Sequence, residues 1–156
     1  MSEKLADIQY NFINLPSRIE FENGHVISYL YDADGIKLRT THIIGSDTTV
    51  TDYCGNVIYE NGIPVKLLTE AGYVTLADSK YHYFVQDHLG NNRVVVDQSG
   101  NVEEVNHYYP FGGLLSSSVS NAVQPYKYNG KELDRKNGLD WYDYGARMYD
   151  AALGRW

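Results

Sequence analysis

The chain has 156 residues, enough for one ordinary domain, and carries 13 Lys and Arg against 20 Asp and Glu, a formal net charge of −7. Such a surface repels phosphate backbones and argues against nucleic acid as a partner. No apolar run approaches the ~20 residues that a membrane span needs, and the single Cys54 excludes an internal disulfide.

The start, Met1-Ser2-Glu3-Lys4, lacks the basic-then-apolar pattern of a secretory signal, so the chain reads as cytosolic as made or as a piece of something exported. The apolar content leans on 15 Tyr, whose hydroxyls need water or a partner, which suits a thin sheet better than a thick core.

Along the chain, Gly24, Gly35, Gly45, Gly55, Gly62, Gly72, Gly90 and Gly100 recur at intervals of roughly ten residues. Between them lie β-branched and aromatic runs such as Val26–Tyr31 and Tyr81–Val85, a spacing that predicts an all-β chain of short strands. Hairpin turns are expected at Asp34-Gly35, Asn61-Gly62 and Ser99-Gly100, with further turns at Asn129-Gly130 and Asn137-Gly138.

The stretch Gly62 to Leu76 contains Pro64 and reads as strand, not helix. Alternation puts Ile27, Tyr29 and Tyr31 on one face, and Tyr81, Tyr83 and Val85 on one face with His82 and Phe84 opposite. Neither face is cleanly polar, so the sheet is expected to cover something on both sides. Pro110 to Pro125 reads as a long surface loop, followed by a Tyr- and Trp-dense segment from Tyr126 to Trp156.

Several segments resemble the Rhs/YD-repeat family. Tyr31-Asp32-Ala33-Asp34-Gly35-Ile36-Lys37-Leu38-Arg39 resembles a YD repeat, and Tyr10 to Pro16 resembles variants found in Bacteroides-type bacteria. Asp87 to Val102 is similar to the opening of the Rhs repeat-associated core, and Tyr109-Pro110-Phe111-Gly112 continues it. Tyr128 to Asp134 and Gly138 to Asp150 match two further blocks in the family's order.

The resemblance implies consecutive antiparallel β-hairpins in a curved or spiralling sheet, with degenerate YD-type repeats over 1–86 and the N-terminal part of the core over 87–156. It also implies a parent protein that is secreted or cell-surface, whose shell encloses a C-terminal toxin domain. In complete members an Asp-Pro segment follows Gly-Arg-Trp/Phe and its aspartates act in self-cleavage. The end at Trp156 therefore reads as a truncation, and Arg147 is the one residue carried over as a participant in processing.

Other chemistry finds little support in the residues. His82, His88 and His107 lack metal-site spacing, so no metal or cofactor is expected, and His88 is expected to fix a turn. Asp87 and His88 with Ser116 to Ser118 lack the glycine-flanked elbow of a hydrolase nucleophile. Trp141, Tyr142, Tyr144 and Asp143 form the candidate contact for carbohydrate, with Asp140 and Asp150 nearby as a paired-carboxylate surface. The basic residues Lys127 to Arg155 are expected to pair with the acidic residues among them.

The reading is a non-catalytic shell segment whose partners are the rest of its polypeptide and a toxin domain, with self-association through sheet edges. A carbohydrate-binding or adhesion module is the alternative.

Overall fold

The computed structural model describes residues 4–118 and 124–156. Eleven strands follow one another: β1 (Leu5–Tyr10), β2 (Pro16–Phe21), β3 (Val26–Tyr31), β4 (Lys37–Ile44), β5 (Asp47–Cys54), β6 (Val57–Glu60), β7 (Ile63–Thr69), β8 (Gly72–Thr75), β9 (Lys80–Gln86), β10 (Asn92–Asp97) and β11 (Val102–Val105). They pair in chain order, each antiparallel to the next. A separate sheet follows, β12 (Glu132–Asp134), β13 (Trp141–Asp143) and β14 (Met148–Asp150), also antiparallel. Residues 62–76 are strands β7 and β8, as their residues predict.

Two turn chemistries stand out along the meander. Asn61 and Gly62 both adopt positive φ, +50° and +79°, in the two-residue turn between Glu60 and Ile63, which matches the right-handed twist of the strands.

The other device is a wider loop closed by one carboxylate. In the Tyr-Asp repeat, Asp32 Oδ1 accepts the N–H groups of Asp34 and Ile36, both at 2.9 Å. Asp87 Oδ1 does the same for Leu89 and Asn91, and Asp97 Oδ1 for Ser99 and Asn101. In each loop the glycine that precedes the last of these residues has positive φ and donates its N–H to the aspartate's carbonyl. The aspartate of the repeat is therefore a turn residue. His88 is exposed and does not fix its turn; Asp87 does.

The large sheet curls. From β2 to β11 a flat sheet would span nine strand spacings, about 43 Å. The C-terminal segment, whose own sheet is three strands wide, nonetheless touches both. Leu139 and Met148 pack with Ile19, Phe21, Ile27 and Tyr29 of β2 and β3, while Lys127 reaches Glu104 of β11. On β9 the faces are unequal: Tyr81, Tyr83 and Val85 are exposed, and His82 is buried with its Nε2 2.9 Å from Thr75 Oγ1. The sequence position 86/87 falls at the β9–β10 hairpin, and the large sheet continues across it to Val105.

Gly72 shows how tightly neighbouring strands are set. Its φ is +155°, and a Cβ there would stand 2.0 Å from the carbonyl oxygen of His82. Backbone approaches of this kind admit only glycine. Gly72→Ala is expected to lower the unfolding free energy by at least about 2 kcal/mol, measured as a shift in the urea midpoint.

Candidate functional site

The strand alternation of the small sheet gives it two unlike faces. Register pairs Glu132 with Asp143 and Asp134 with Trp141, whereas Leu133 pairs with Tyr142 and Tyr142 with Tyr149. Glu132, Asp134, Trp141, Asp143 and Met148 thus face the large sheet, and Leu133, Tyr142 and Tyr149 form a second core on the opposite side.

The face toward the large sheet is acidic, and the large sheet answers it. Lys37 Nζ, at the start of β4, lies 2.6 Å from Glu132 and 2.7 Å from Asp143. Tyr53 donates to the other oxygen of Glu132 at 2.6 Å. Tyr29 donates to Asp134 at 2.8 Å, and His42 Nε2 stands 3.0 and 3.1 Å from its two oxygens.

Burial alone would lower the Lys37 ammonium's pKa, but Glu132, Tyr53 and Asp143 together hold it well above the usual lysine value. Burial alone would raise Asp134, yet the hydrogen bond and charge of His42, with the hydrogen bond from Tyr29, keep its carboxyl below the usual range. Burial, then Asp134, pushes the Tyr29 phenol upward.

The opposite face holds a backbone segment. Tyr128, Tyr149 and Tyr142 donate their hydroxyls to the carbonyls of Pro110, Phe111 and Gly112, at 3.2, 2.9 and 2.9 Å. Three consecutive carbonyls that no strand would satisfy are thereby paired. Gly112 has φ +90°, and a Cβ there would meet the Tyr128 ring at 2.5 Å.

A third contact joins the segment to β10 and β11. Lys127 and Glu104, 2% and 3% exposed, pair at 2.5 Å. Asn92 donates its N–H to Lys127 O and its side-chain amide to Tyr126 O.

The structure separates the carbohydrate candidates. Trp141 and Asp143 face the large sheet, and Asp143 is in the Lys37 ion pair. Tyr142 is 1% exposed and bound to Gly112, so its ring offers no face to a ligand. Tyr144 lies edge-on to Trp156 and donates to Asn129.

Arg147 rests its guanidinium over the Trp156 ring, 4.5 Å from the centroid. Both line a groove of about 450 Å³ with Ile8, Tyr10, Asp150 and Leu153.

The acidic residues of the tail do not pair chiefly with its basic ones. Arg135 with Asp140 fits that expectation, but Asp134 and Asp143 reach back to His42 and Lys37.

Asp87 is occupied by its own loop, and the Ser118 hydroxyl is bound to the backbone of His107. Among the described residues no group of three His, Cys, Asp or Glu side chains converges as metal ligands would. Part of the expected 110–125 loop, residues 119–123, lies outside the described residues.

Sequence reasoning missed Lys37, His42, Tyr53 and Glu104. Glu104 did leave a signal: in Val102-Glu103-Glu104-Val105 alternation must turn one glutamate inward.

A hairpin strip curled around its own C-terminal segment is a shell-type β architecture. Residues 66–156 match the family model for the teneurin YD-shell, and the chain belongs to that family. It is 30% identical over 123 residues to toxin subunit YenC1 of Yersinia entomophaga, covering 68% of this chain and 12% of that protein. Toxin subunit YenC2 of the same organism is 40% identical over 65 residues, 39% of this chain and 6% of that protein.

Among solved structures, the Photorhabdus luminescens Tc holotoxin pore with mutation TccC3-D651A matches at TM-score 0.77 and 20% identity, over 96% of this chain and 8% of that one. TcdB2-TccC3 without its hypervariable C-terminal region matches at TM-score 0.75 and 19% identity, over 99% of this chain and 9% of that one. These likenesses establish the shared fold. The chain thus spans a small part of the length of these relatives, and its role is that of a structural segment of a YD-shell.

Tyr142→Phe leaves the Gly112 carbonyl buried without its donor and is expected to cost about 1–3 kcal/mol in urea unfolding, whereas Tyr10→Phe, at an exposed site, is expected to be neutral.

Because the folded-state pKa of Asp134 is depressed, its contribution is complete above the unfolded value of about 3.9 and is lost as pH falls through the folded one. Unfolding free energy should therefore decline below about pH 4, and Asp134→Asn should make that decline shallower.

Proposed function

We propose that this chain is a non-catalytic segment of the β-shell of a secreted or cell-surface bacterial toxin polypeptide, and that the complete shell encloses a C-terminal toxin domain. The observation that carries the reading is the curl. Eleven strands in unbroken chain order turn one face toward the C-terminal segment, a geometry that further hairpins can extend into an enclosure.

The family match and the toxin subunits among the relatives support the same reading. The outer edge of β1, which pairs β2 on its other side, is where preceding hairpins would add, since an open edge presents unpaired backbone groups to another strand. In this reading 1–86 are repeats, 87–156 begin the core, and the partners are the remaining shell and its cargo. Arg147 enters as a participant in processing through the resemblance of its sequence block.

The test is limited proteolysis of the parent polypeptide, purified intact. The C-terminal domain is expected to resist protease at concentrations that digest the same domain made separately. Digestion at equal rates would contradict an enclosing shell.

A further inference from the structure

Glu104, Asn106, Gln124 and Lys127 meet in a cluster where no member is more than 3% exposed. One oxygen, Glu104 Oε1, accepts from Lys127 Nζ at 2.5 Å, from Asn106 Nδ2 at 2.5 Å and from Gln124 Nε2 at 2.7 Å. The lysine nitrogen and the Asn106 amide nitrogen therefore stand no farther apart than twice 2.5 Å.

The Asn106 amide is oriented by two acceptors, because Nδ2 also donates to the Asn92 carbonyl at 3.0 Å. Its Oδ1 is buried with no hydrogen-bond partner among the described residues. A structural amide buried at this depth would ordinarily have its oxygen paired.

The geometry points to Lys127 and Asn106 as the partners in a spontaneous side-chain amide cross-link, with Glu104 as the proton carrier between them. Gln124, whose amide nitrogen reaches the same oxygen at 2.7 Å and whose Oε1 accepts the Tyr126 N–H at 2.8 Å, is the competing electrophile, and the position of the branch distinguishes the two.

The chemistry balances without a co-reactant. Lys127 enters as an ammonium and passes one proton to Glu104, which frees the Nζ lone pair. Nζ attacks Cγ of Asn106, the Cγ–Nδ2 bond breaks, and Glu104 delivers its proton to the departing nitrogen. The second Nζ proton returns to Glu104 and leaves with the ammonia as ammonium. One amide bond replaces another, and nothing is oxidised or reduced.

The site favours the neutral amine that must attack. Burial pushes Lys127 below the usual lysine value against the opposing pull of Glu104. Holding Nζ and the leaving nitrogen on one carboxylate oxygen places the proton carrier between them. The reaction runs once per chain and is a self-modification, not turnover.

Its product would tie the chain just beyond β11 to the segment that enters β12, across residues 106 to 127. Closing such a loop covalently restricts the unfolded state.

Intact mass spectrometry of the full folded chain tests this directly. The expected mass is one ammonia below that of the sequence, and digestion should release a branched peptide joining residues 106 and 127. Lys127→Arg and Glu104→Gln should each restore the full mass. Asn106→Asp should cross-link with loss of one water.

The proposal fails if the wild-type mass equals that of the sequence. It also fails if the ammonia deficit persists in Lys127→Arg, as it would for Asn106 cyclised onto its own backbone, or if the branch maps to Gln124. Should the variants not fold, the wild-type branched peptide decides alone.

Discussion

Lys37 leaves the first residue of β4 and places its ammonium between Glu132 of β12 and Asp143 of β13, with the Tyr53 ring 4.8 Å away. The pair is largely withdrawn from water, the lysine side chain being 10% exposed. Removing one member of such a group leaves the others buried and uncompensated, a loss far larger than that of a surface ion pair. The large sheet and the small one consequently require each other: neither inner face is satisfied alone.

A shell wall poses a particular problem of solvation. A curled sheet has an inner face that is neither a conventional apolar core nor open to bulk water, and here that face mixes both kinds of contact. Ile19, Phe21, Ile27, Leu139 and Met148 supply an apolar patch, while Tyr29, His42 and Tyr53 bring polar tips to the carboxylates beside it. Tyrosine fits this boundary because it contributes apolar area and a donor together. The same property serves the outer face of the small sheet, where three hydroxyls pair three backbone carbonyls.

The local order was legible in the residues because it is set by local chemistry. Asp34-Gly35, Asn61-Gly62 and Ser99-Gly100 announce turns, and each sits where those residue types relieve positive φ or cap a loop. The docking was not legible, because its partners lie far apart in the chain. Nothing near Lys37 states that Glu132 will meet it, and nothing near Tyr29 points to Asp134. In the tail the reason is local. Trp141, Tyr142 and Asp143 look like one surface in sequence, but alternation sends Tyr142 to the side opposite the other two. Composition showed many tyrosines; only the fold showed which carbonyl each one satisfies.

The ionic contacts of Lys37, Glu132 and Asp143 couple the two sheets into one cooperative unit, and a double-mutant cycle across this seam measures that coupling. Unfolding free energies of the wild type, Lys37→Met, Glu132→Gln and the double variant would be compared by urea titration. If the seam joins the sheets, the double variant departs from the sum of the single effects by about 1–3 kcal/mol. Additivity within about 0.3 kcal/mol would mean that Lys37 and Glu132 act independently, and would contradict the account.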